Sequence, residues 1–499
     1  MNALLLLSIF IISTCGLIYE LIASTLASYL LGDTITQFST VIGAYLFAMG
    51  IGSYLSKYID KKIIETFIQV EIMIGMIGGF SATLLFVSFQ YVSHFRVMLY
   101  AVVGITGICV GLEIPLLMRI LKQQYDFKEL VSKVFTFDYI GALLASLLFP
   151  LILVPYLGLI RSAFLFGLLN TSVSFLALHV FKHQIISAHK KLTSQAVFTV
   201  VLLFGGFIFS NQINNFTESL NYAGNIILSQ KSQYQKIVLT RSGSDLRLHL
   251  NGNLQFSSKD EYRYHEALVH PGLSQIEDPK HVLILGGGDG LAVREILKYP
   301  SVQSITLVDL DPAVTRLFKT FPPLVALNQN ALNSEKVKIH NEDAFIWMRN
   351  NRNTYDFIVL DFPDPSNYSL GKLYTHLFYQ MLYAALAENG ISVVQSTSPF
   401  IARKSFWCIG NTLEKAGFQL KSYQSYTPAF GCWGFHLVAK KDVFTGAKFL
   451  PELKYLTASV LNTLFILPKD IQRVDTDINT LNNQSLVRYF EAEWASYLE

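Results

Sequence analysis

The stretch His281-Val-Leu-Ile-Leu-Gly-Gly-Gly-Asp-Gly290 decides the fold of the C-terminal half of this chain. Its apolar residues predict a buried strand, and its glycines allow a sharp turn into a helix that contains Arg294 and Glu295. Such a turn brings the backbone close to a bound nucleotide, although a tight turn without a ligand would leave the same pattern.

Strands and amphipathic helices alternate on both sides of this stretch. That alternation predicts an α/β Rossmann-like domain of the methyltransferase type, with ligands at the carboxyl ends of parallel strands. Before it, residues 233–256 alternate apolar and polar side chains around an Asn251-Gly252 turn, which predicts a small β-hairpin subdomain. The predicted strands are 281–285, 304–308, 336–339, 356–360 and 391–395.

Carboxylates follow the second and third predicted strands. Asp309 comes 19 residues after Gly290, close to the spacing at which an acidic residue meets ribose hydroxyls in nucleotide-binding sheets. Asp343 follows the third strand, where it would face an adenine amino group. A strand-end or helix-capping role would place aspartates at the same points. These features describe any nucleoside-binding Rossmann-like domain, methyltransferases included.

The fourth predicted strand narrows the chemistry. It ends in Asp361-Phe-Pro-Asp364, so two carboxylates lie three residues apart, and the upstream segment 260–266 adds further acids and Tyr264. Carboxylates beside an aromatic ring suit an alkyl ammonium, through charge and cation–π attraction. Helix capping explains either aspartate alone but explains the pair and the upstream cluster poorly.

The N-terminal half has a different composition. The whole chain is 51% hydrophobic and only 15% charged, with a mean hydropathy of +0.38, and up to about Ser210 it consists of long apolar runs. Runs of about 20 residues match a hydrocarbon core roughly 30 Å thick, so we predict a multi-pass protein of the cell membrane. The predicted spans are 3–25, 36–56, 66–89, 97–118, 136–156, 160–181 and 193–210.

The loops between these spans carry a topology signal. Lysines and arginines are concentrated at 57–62, 119–133 and 182–191, so the positive-inside rule places the N-terminus in the cytoplasm. Seven spans would then place the C-terminal half outside, although the nucleoside- and ammonium-binding features described above suit a cytosolic metabolite. Either one span is miscounted or the C-terminal half works outside, and the residues leave both possibilities open.

Acidic residues also occur within the predicted spans. Glu71 and Asp138 are expected near span ends, in reach of headgroup water, whereas Glu20 and Glu113 are the better candidates for a functional role. A buried ionisable group in a bilayer is costly and often functional. Structural polar packing and a path for a cation or polyamine both remain open for these residues.

Several partners and groups are not expected. A net charge of +3 without a basic cluster gives no basis for nucleic-acid binding. The four cysteines form no CxxC pair, which argues against a zinc site or a disulfide framework.

The predicted domains are a transmembrane helical domain at 1–212, a linker and β-hairpin subdomain at 213–275, a catalytic domain at 276–445 and a C-terminal helical extension at 446–499.

Residues 231–440 resemble the spermidine synthase family of polyamine aminopropyltransferases, and the N-terminal half looks like the multi-helix segment fused to some bacterial members. Order and spacing agree across the matched motifs. These motifs are Ser232 to Gln235, Asn251-Gly252 with Gln255, Asp260-Glu261, Tyr264-His265-Glu266, Gly286 to Gly290, Asp309 to Pro312, Asp343, Asp361 to Pro365, Leu373-Tyr374 and Phe378-Tyr379.

The resemblance implies transfer of an aminopropyl group from decarboxylated S-adenosylmethionine, a co-substrate, to an amine such as putrescine, with no prosthetic group. It implies that Asp361 is the catalytic residue that holds and deprotonates the amine. The residues implied to seat the polyamine are Tyr264, His265 and Asp364. The residues implied to bind the donor are Gln235, Gly286, Asp289, Asp309, Asp343 and Ala344.

Two departures from the family pattern leave the acceptor amine open. Phe362 and Pro363 stand where small polar residues are usual, and Pro428 stands where a substrate-facing tyrosine is expected. Other acceptors or adenosyl donors on the same fold, and a polyamine sensor or transporter without turnover, remain alternatives. A homodimer is implied only by analogy with soluble members.

Overall fold

The computed structural model describes residues 2–31, 34–92, 94–122, 125–213, 222, 224–442 and 451–498. The chain divides into two compact units, Met1–Asn221 and Tyr222–Glu499. The β-hairpin subdomain, the Rossmann-like domain and the C-terminal extension therefore all belong to the second unit. The predicted boundary at 445/446 lies outside the described residues, and the other predicted boundaries stay predictions.

The first unit is a bundle of long helices. Their sequences are apolar on every face, which is typical of helices surrounded by other helices and lipid. The helices are α1 Asn2–Leu31, α2 Thr34–Leu55, α3 Ile63–Tyr91, α4 Phe95–Leu121, α5 Phe127–Leu148, α6 Gly158–Val180 and α7 Ile186–Ile208, with a π-helical segment Phe149–Leu157 between α5 and α6.

Six helical stretches among the described residues are long and apolar enough to cross a membrane. One of them, Phe127–Val180, has 54 residues. At 1.5 Å per residue it would extend for about 80 Å, far more than a hydrocarbon core of about 30 Å. This stretch contains two of the seven predicted spans, and Gly158, with φ +75°, interrupts it between them. The number of crossings stays a prediction.

Glu71 corrects one expectation. We predicted that it would reach headgroup water near a span end, but its side chain is fully buried inside the bundle. The amide nitrogen Nδ2 of Asn170, on α6, donates to its carboxylate at 2.8 Å and to its backbone oxygen at 3.1 Å. The residue lies two turns inside α3, where tertiary packing covers it.

The second unit opens with a four-stranded antiparallel sheet in the order β1-β2-β3-β4. Asn251 and Gly252 form the predicted turn between β3 and β4, with φ values of +50° and +85° that match a type I′ hairpin turn. The predicted hairpin is thus part of a larger meander. Its strands are β1 Asn225–Lys231, β2 Lys236–Ser242, β3 Asp245–Leu250 and β4 Asn253–Ser257.

A seven-stranded sheet in the order β10-β11-β9-β8-β5-β6-β7 forms the centre of the unit. Strands β5 to β9 pair in parallel, whereas β10 and β11 are antiparallel to their neighbours. The first five match the predicted strands. They are β5 His281–Gly286, β6 Ser304–Asp309, β7 Val337–Asn341, β8 Tyr355–Asp361 and β9 Leu386–Gln395, followed by β10 Gln419–Thr427 and β11 Gly431–Ala439.

Helices cover both faces of this sheet, because its strands are apolar on both sides and need two cores. The helices that position the site are α8 Glu261–Leu273, α9 Leu291–Ile296, α10 Pro312–Thr320, α11 Pro322–Leu327, α12 Ala344–Asn350, α13 Tyr368–Gly371, α14 His376–Ala385 and α15 Arg403–Lys415.

The C-terminal extension is less helical than predicted. Within 451–498 the α-helices are α16 Ala458–Leu464 and α17 Ser485–Leu498, and much of the remainder is irregular. Two carboxylates attach it to the domain. Glu266 accepts the backbone N–H groups of residues 454–456, and Glu493 accepts those of Lys404 and Ser405 at the start of α15. The irregular chain is thus ordered by hydrogen bonds from backbone to carboxylate.

Candidate active site

Strands β5 and β8 are neighbours at the centre of the sheet, and Gly286 pairs with Asp361 at their carboxyl ends. From β5 the chain continues to β6 on one side, whereas β8 is followed by β9 on the other. The connections therefore diverge here and leave a crevice, which is the position at which open α/β sheets bind ligands.

The glycine-rich turn is shaped by its closeness to two aspartates. Gly286 has φ +84°, and a Cβ atom there would lie 2.1 Å from the backbone oxygen of Asp361. A Cβ atom on Gly288 would lie 2.6 Å from the carboxyl carbon of Asp309. A side chain at Gly286 would collide with the backbone of β8, and one at Gly288 would displace the Asp309 carboxylate, so both glycines let the turn lie close to these aspartates.

Asp309 lies at the end of β6 beside this turn. Its carboxylate accepts the backbone N–H of Gly288 at 3.0 Å and that of Asp311 at 2.9 Å. Burial raises the pKa of Asp309 to about 6, although these two hydrogen bonds oppose the rise. Asp289, whose Oδ1 caps the Leu291 N–H at 2.9 Å, also has a raised pKa because of burial. Two partly accessible carboxylates thus line the turn.

Gln235 reaches this group indirectly. Its Nε2 donates to Asp311 Oδ2 at 3.0 Å, and the hydroxyl of Ser232 donates to the same oxygen at 2.6 Å. The other oxygen of Asp311 caps α10 at the Ala313 N–H. Asp311 therefore connects the β1–β2 turn of the small sheet to the end of β6, and Gln235 lies beside the predicted ribose-binding residue.

Asp343 and Ala344 lie at the start of α12. Asp343 caps this helix by accepting the Phe345 N–H at 2.8 Å, and its second oxygen pairs with Lys372 Nζ at 2.5 Å. Both charged side chains of that pair are partly exposed, 27% for Asp343 and 31% for Lys372. The predicted adenine-binding carboxylate thus already has a cationic partner.

Asp361 ends β8 and is held by Tyr264. The tyrosine hydroxyl donates to Asp361 Oδ1 at 2.6 Å. Burial raises the pKa of Asp361 to about 6, while the charge of His265 opposes that rise and the charge of Asp289 adds to it. The carboxylate is therefore mostly ionised at neutral pH and is a stronger proton acceptor than an exposed aspartate.

Asp364 has its own set of donors. Gln395 Nε2 donates to Oδ1 at 3.3 Å, and the hydroxyl of Thr397 donates to Oδ2 at 3.2 Å. Burial raises its pKa to about 6, and these two hydrogen bonds oppose the rise. The structure thus brings two hydrogen-bonded carboxylates to the carboxyl end of β8.

His265 belongs to a buried charged network. Its Nδ1 lies 2.8 Å from Glu261 Oε2, and Arg294 binds both oxygens of Glu261 at 2.8 and 3.0 Å. Burial alone would lower the pKa of His265, but the hydrogen bond and charge of Glu261 raise it to about 9. His265 therefore carries a positive charge at neutral pH, close enough to Asp289 and Asp361 to act on both.

Sequence reasoning missed several groups at this site. Lys372 forms an ion pair with Asp343, and Arg294 forms one with Glu261. The Phe430 ring lies 6.2 Å from that of Tyr264. A signal existed for Gln395, because it ends the predicted fifth strand, and the carboxyl ends of parallel strands share one edge. The others depend on contacts between distant segments, which no local pattern records.

One departure from the family pattern has a structural explanation. Phe362 is buried, with its ring 6.2 Å from that of Tyr374 and 5.8 Å from that of Phe378. The Phe362 side chain therefore packs in the core and does not take the place of Asp361 or Asp364 at the end of β8. An aromatic residue at this position adds buried apolar area without removing either carboxylate.

Comparison with known proteins identifies the family. The sequence profile described as the spermine/spermidine synthase domain matches residues 261–447. The polyamine aminopropyltransferase of Leptospira interrogans is 49% identical over 502 residues, covering 100% of both chains. The chain belongs to the polyamine aminopropyltransferases. A Ralstonia nicotianae enzyme, polyamine aminopropyltransferase 2, is 48% identical over 100% of this chain and 99% of its own.

A more distant relative also matches nearly the whole chain, whereas a solved structure matches half of it. The polyamine aminopropyltransferase of Mycobacterium tuberculosis is 35% identical over 99% of this chain and 97% of its own. Among solved structures, spermidine synthase in complex with the transition state analogue AdoDATO is 28% identical and covers 50% of this chain and 88% of its own, with a TM-score of 0.46. The predicted reaction class, aminopropyl transfer, is thereby confirmed, and the family's co-substrate is decarboxylated S-adenosylmethionine.

Proposed function

We propose that this aminopropyltransferase uses putrescine as acceptor, gives spermidine and methylthioadenosine, and employs Asp361 as the catalytic proton acceptor. The observation that carries the proposal is the position of the Asp361 carboxylate, at the carboxyl end of β8 beside the glycine turn, oriented by the Tyr264 hydroxyl at 2.6 Å. Its second oxygen, Oδ2, lies beside Gly287, 3.2 Å from the position that a Cβ atom on this glycine would occupy.

The proton balance supports this role. An alkyl ammonium with a pKa near ~10 cannot attack until it loses a proton. The pKa of Asp361, about 6, lies roughly two units above the usual aspartate value of 3.8, which lowers the cost of proton transfer by about 3 kcal/mol. The free amine then attacks the carbon next to sulfur, the C–S bond breaks, and neutral methylthioadenosine leaves.

Asp364 and Tyr264 would seat the diamine. A second carboxylate three residues from the base offers a partner for an ammonium group, and the Tyr264 ring supplies an apolar and cation–π surface. His265 is positively charged and would repel an ammonium, so we assign it an indirect role. Its charge keeps Asp289 and Asp361 ionised and so favours binding of the amine.

The remaining predicted residues would bind the donor. Asp309 would accept ribose hydroxyls, Gln235 would contact the donor beside it, and Gly286 would let the donor lie against the backbone. Asp289 would attract the aminopropyl ammonium, and Asp343 with Ala344 would meet the adenine at the start of α12. These roles are supported by the common edge of the sheet at which the residues lie.

We also propose that the first unit spans a lipid bilayer of the cell membrane, and that the enzyme forms a homodimer. Six described helical stretches of sufficient length and hydropathy support the first statement, and only the analogy with soluble members supports the second. Cysteine labelling from each side of sealed vesicles tests the crossings and the side that the catalytic unit faces. Mass measurement in detergent tests the dimer.

The central experiment measures product formation by the full chain. Purified protein is given decarboxylated S-adenosylmethionine labelled in its aminopropyl group together with putrescine, spermidine, cadaverine or no amine. We expect labelled spermidine from putrescine, and a loss of about 10²–10⁴-fold in Asp361→Asn with donor binding retained. The matched control is Asp278→Asn, an exposed aspartate 61% accessible, which should keep full activity. Turnover with another amine but not with putrescine would overturn the proposed acceptor.

A further inference from the structure

Two carboxyl groups face each other inside the helical bundle. Glu71 on α3 is fully buried and Glu113 on α4 is 2% exposed, and their carboxyl groups lie within mutual hydrogen-bonding contact. Each is eight residues from the nearer end of its helix, Ile63 or Leu121, which is about 12 Å along the axis. The pair therefore lies well below the ends of the bundle.

These carboxyls have few partners for their charge. Neither forms an ion pair with a basic side chain among the described residues, and the hydrogen bond to Glu71 from Asn170 is the main compensation. Two adjacent ionised carboxylates cannot be buried in this way, because desolvation costs several kcal/mol for each ion and the two charges repel. The pair requires one positive charge.

Unused polar atoms surround the same point. Glu71 Oε1, Glu113 Oε1, Asn170 Oδ1 and the Tyr19 hydroxyl are all buried and lack a hydrogen-bond partner among the described residues. Asn170 is fully buried and its amide head is held on Glu71, so its free oxygen lies at the carboxyl pair. Buried polar atoms without partners are rare in native proteins, and a bound ion or water molecule is a common explanation for them.

The composition of the cluster limits that ligand. No group of three or more His, Cys, Asp or Glu side chains that could hold a metal ion occurs in the part of the chain that the structure describes, which disfavours a transition metal. Two carboxylates with amide and hydroxyl oxygens suit a hard cation of single charge. The titratable groups that interact with the pair are Cys15 and Tyr19 from α1, Tyr45 from α2 and Cys109 from α4.

We propose that Glu71, Glu113 and Asn170 form a binding site for one monovalent cation, a proton or a sodium-sized ion, within the bundle. The site is separate from the aminopropyl-transfer chemistry and depends only on the carboxyl pair and its unpartnered oxygens. Intramembrane carboxyl pairs of this kind accompany ion and proton paths, so the bundle has a cation-binding function of its own.

Infrared difference spectroscopy of the full chain in lipid nanodiscs tests the proposal. Spectra are recorded over a pH range in sodium-free buffer and again over a range of NaCl concentrations. We expect a buried protonated-carboxyl band that changes in frequency or intensity in Glu71→Gln and in Glu113→Gln, each of which leaves one carboxyl of the pair. A band unaffected by sodium identifies the ligand as a proton, and one that sodium removes identifies a sodium-sized ion displacing it.

The matched control is Glu65→Gln, a glutamate near the start of α3 that pairs with Lys62 outside the cluster; its spectrum should equal that of the wild type. Aminopropyl transfer and helical circular dichroism, both retained, show that each variant is folded. Since Gln is isosteric with a protonated Glu, at least one of the two variants is expected to fold. If neither variant changes the spectrum at any pH or sodium concentration, the site does not exist.

Discussion

Buried carboxylates occur in both units of this protein, but their surroundings differ. At the sheet edge, Asp361 and Asp364 each accept hydrogen bonds from side chains, and the cationic His265 acts on Asp361. In the helical bundle, Glu71 has the amide of Asn170, and unpartnered oxygens remain around it. The first arrangement suits the proposed catalytic role, because hydrogen bonds and a neighbouring cation favour ionised carboxylates, whereas the second is the basis of the proposed cation site.

The largest expected effect comes from removing the cation behind the catalytic site. Arg294→Met removes the guanidinium that pairs with both buried carboxylates, Glu261 and Glu295, so each loses a cationic partner and the second unit should lose about 3–5 kcal/mol of stability. Thermal unfolding of the full chain in detergent measures the loss. Arg473→Met, which breaks the exposed pair with Glu414, is the control and should cost less than about 1 kcal/mol. Equal losses in the two variants would contradict the importance of the buried network.

The second effect concerns the diamine. Asp364→Asn removes a charged partner but keeps the shape, so kcat/KM for putrescine should fall by about 30–100-fold, with the KM of the donor unchanged, as expected for a lost charge-assisted contact of about 2–3 kcal/mol. Steady-state kinetics at saturating donor measures this. A fall confined to the KM of the donor would assign Asp364 to the other substrate.

The third effect is on the pH profile. Asp361 and Asp364 both have pKa values of about 6, and in the roles proposed for them each must be ionised to accept a proton or bind an ammonium. Activity should therefore be full above pH 7 and fall as the pH drops through 6, by about tenfold per unit for each group. In Asp364→Asn only one group remains, so the acid limb should become less steep. An unchanged slope would show that only one carboxylate governs the limb.

The pH dependence of stability has the opposite direction for His265. Its folded-state pKa, about 9, lies above the usual value of 6.5, so its charge stabilises the fold fully below pH 6.5 and this contribution is lost as the pH rises through 9. Loss of the His265 charge should therefore lower the free energy of unfolding as the pH rises through 9.

The smallest effect is expected at the exposed pair. Lys372 and Asp343 are both partly accessible, so Lys372→Met should change stability by less than about 1 kcal/mol. In the proposed adenine-binding role of Asp343, Lys372 competes for its carboxylate, so the KM of the donor should fall by up to about fivefold while kcat stays constant. Donor titration at fixed putrescine measures it, and a higher KM would mean that Lys372 contributes to donor binding.

Local patterns predicted most of the secondary structure of both units. Apolar runs of about 20 residues located the membrane-type helices, and the β-rich apolar segments at 281–285 and 304–308 located strands, because each pattern depends only on side chains close in sequence. The glycine turn and the aspartates at strand ends were recognisable for the same reason. The strand Asn225–Lys231 was missed, since its sequence Asn-Ile-Ile-Leu-Ser-Gln-Lys does not alternate apolar and polar residues.

The sequence by itself determined that carboxylates would meet at one sheet edge, because parallel strands end on the same side. Only the tertiary structure decided which of them have partners. Tyr264 reaches Asp361 across 97 residues of sequence, Lys372 reaches Asp343 across 29, and Asn170 reaches Glu71 across 99. A carboxylate's charge depends on the atoms packed around it, and packing joins segments whose proximity no local sequence pattern encodes.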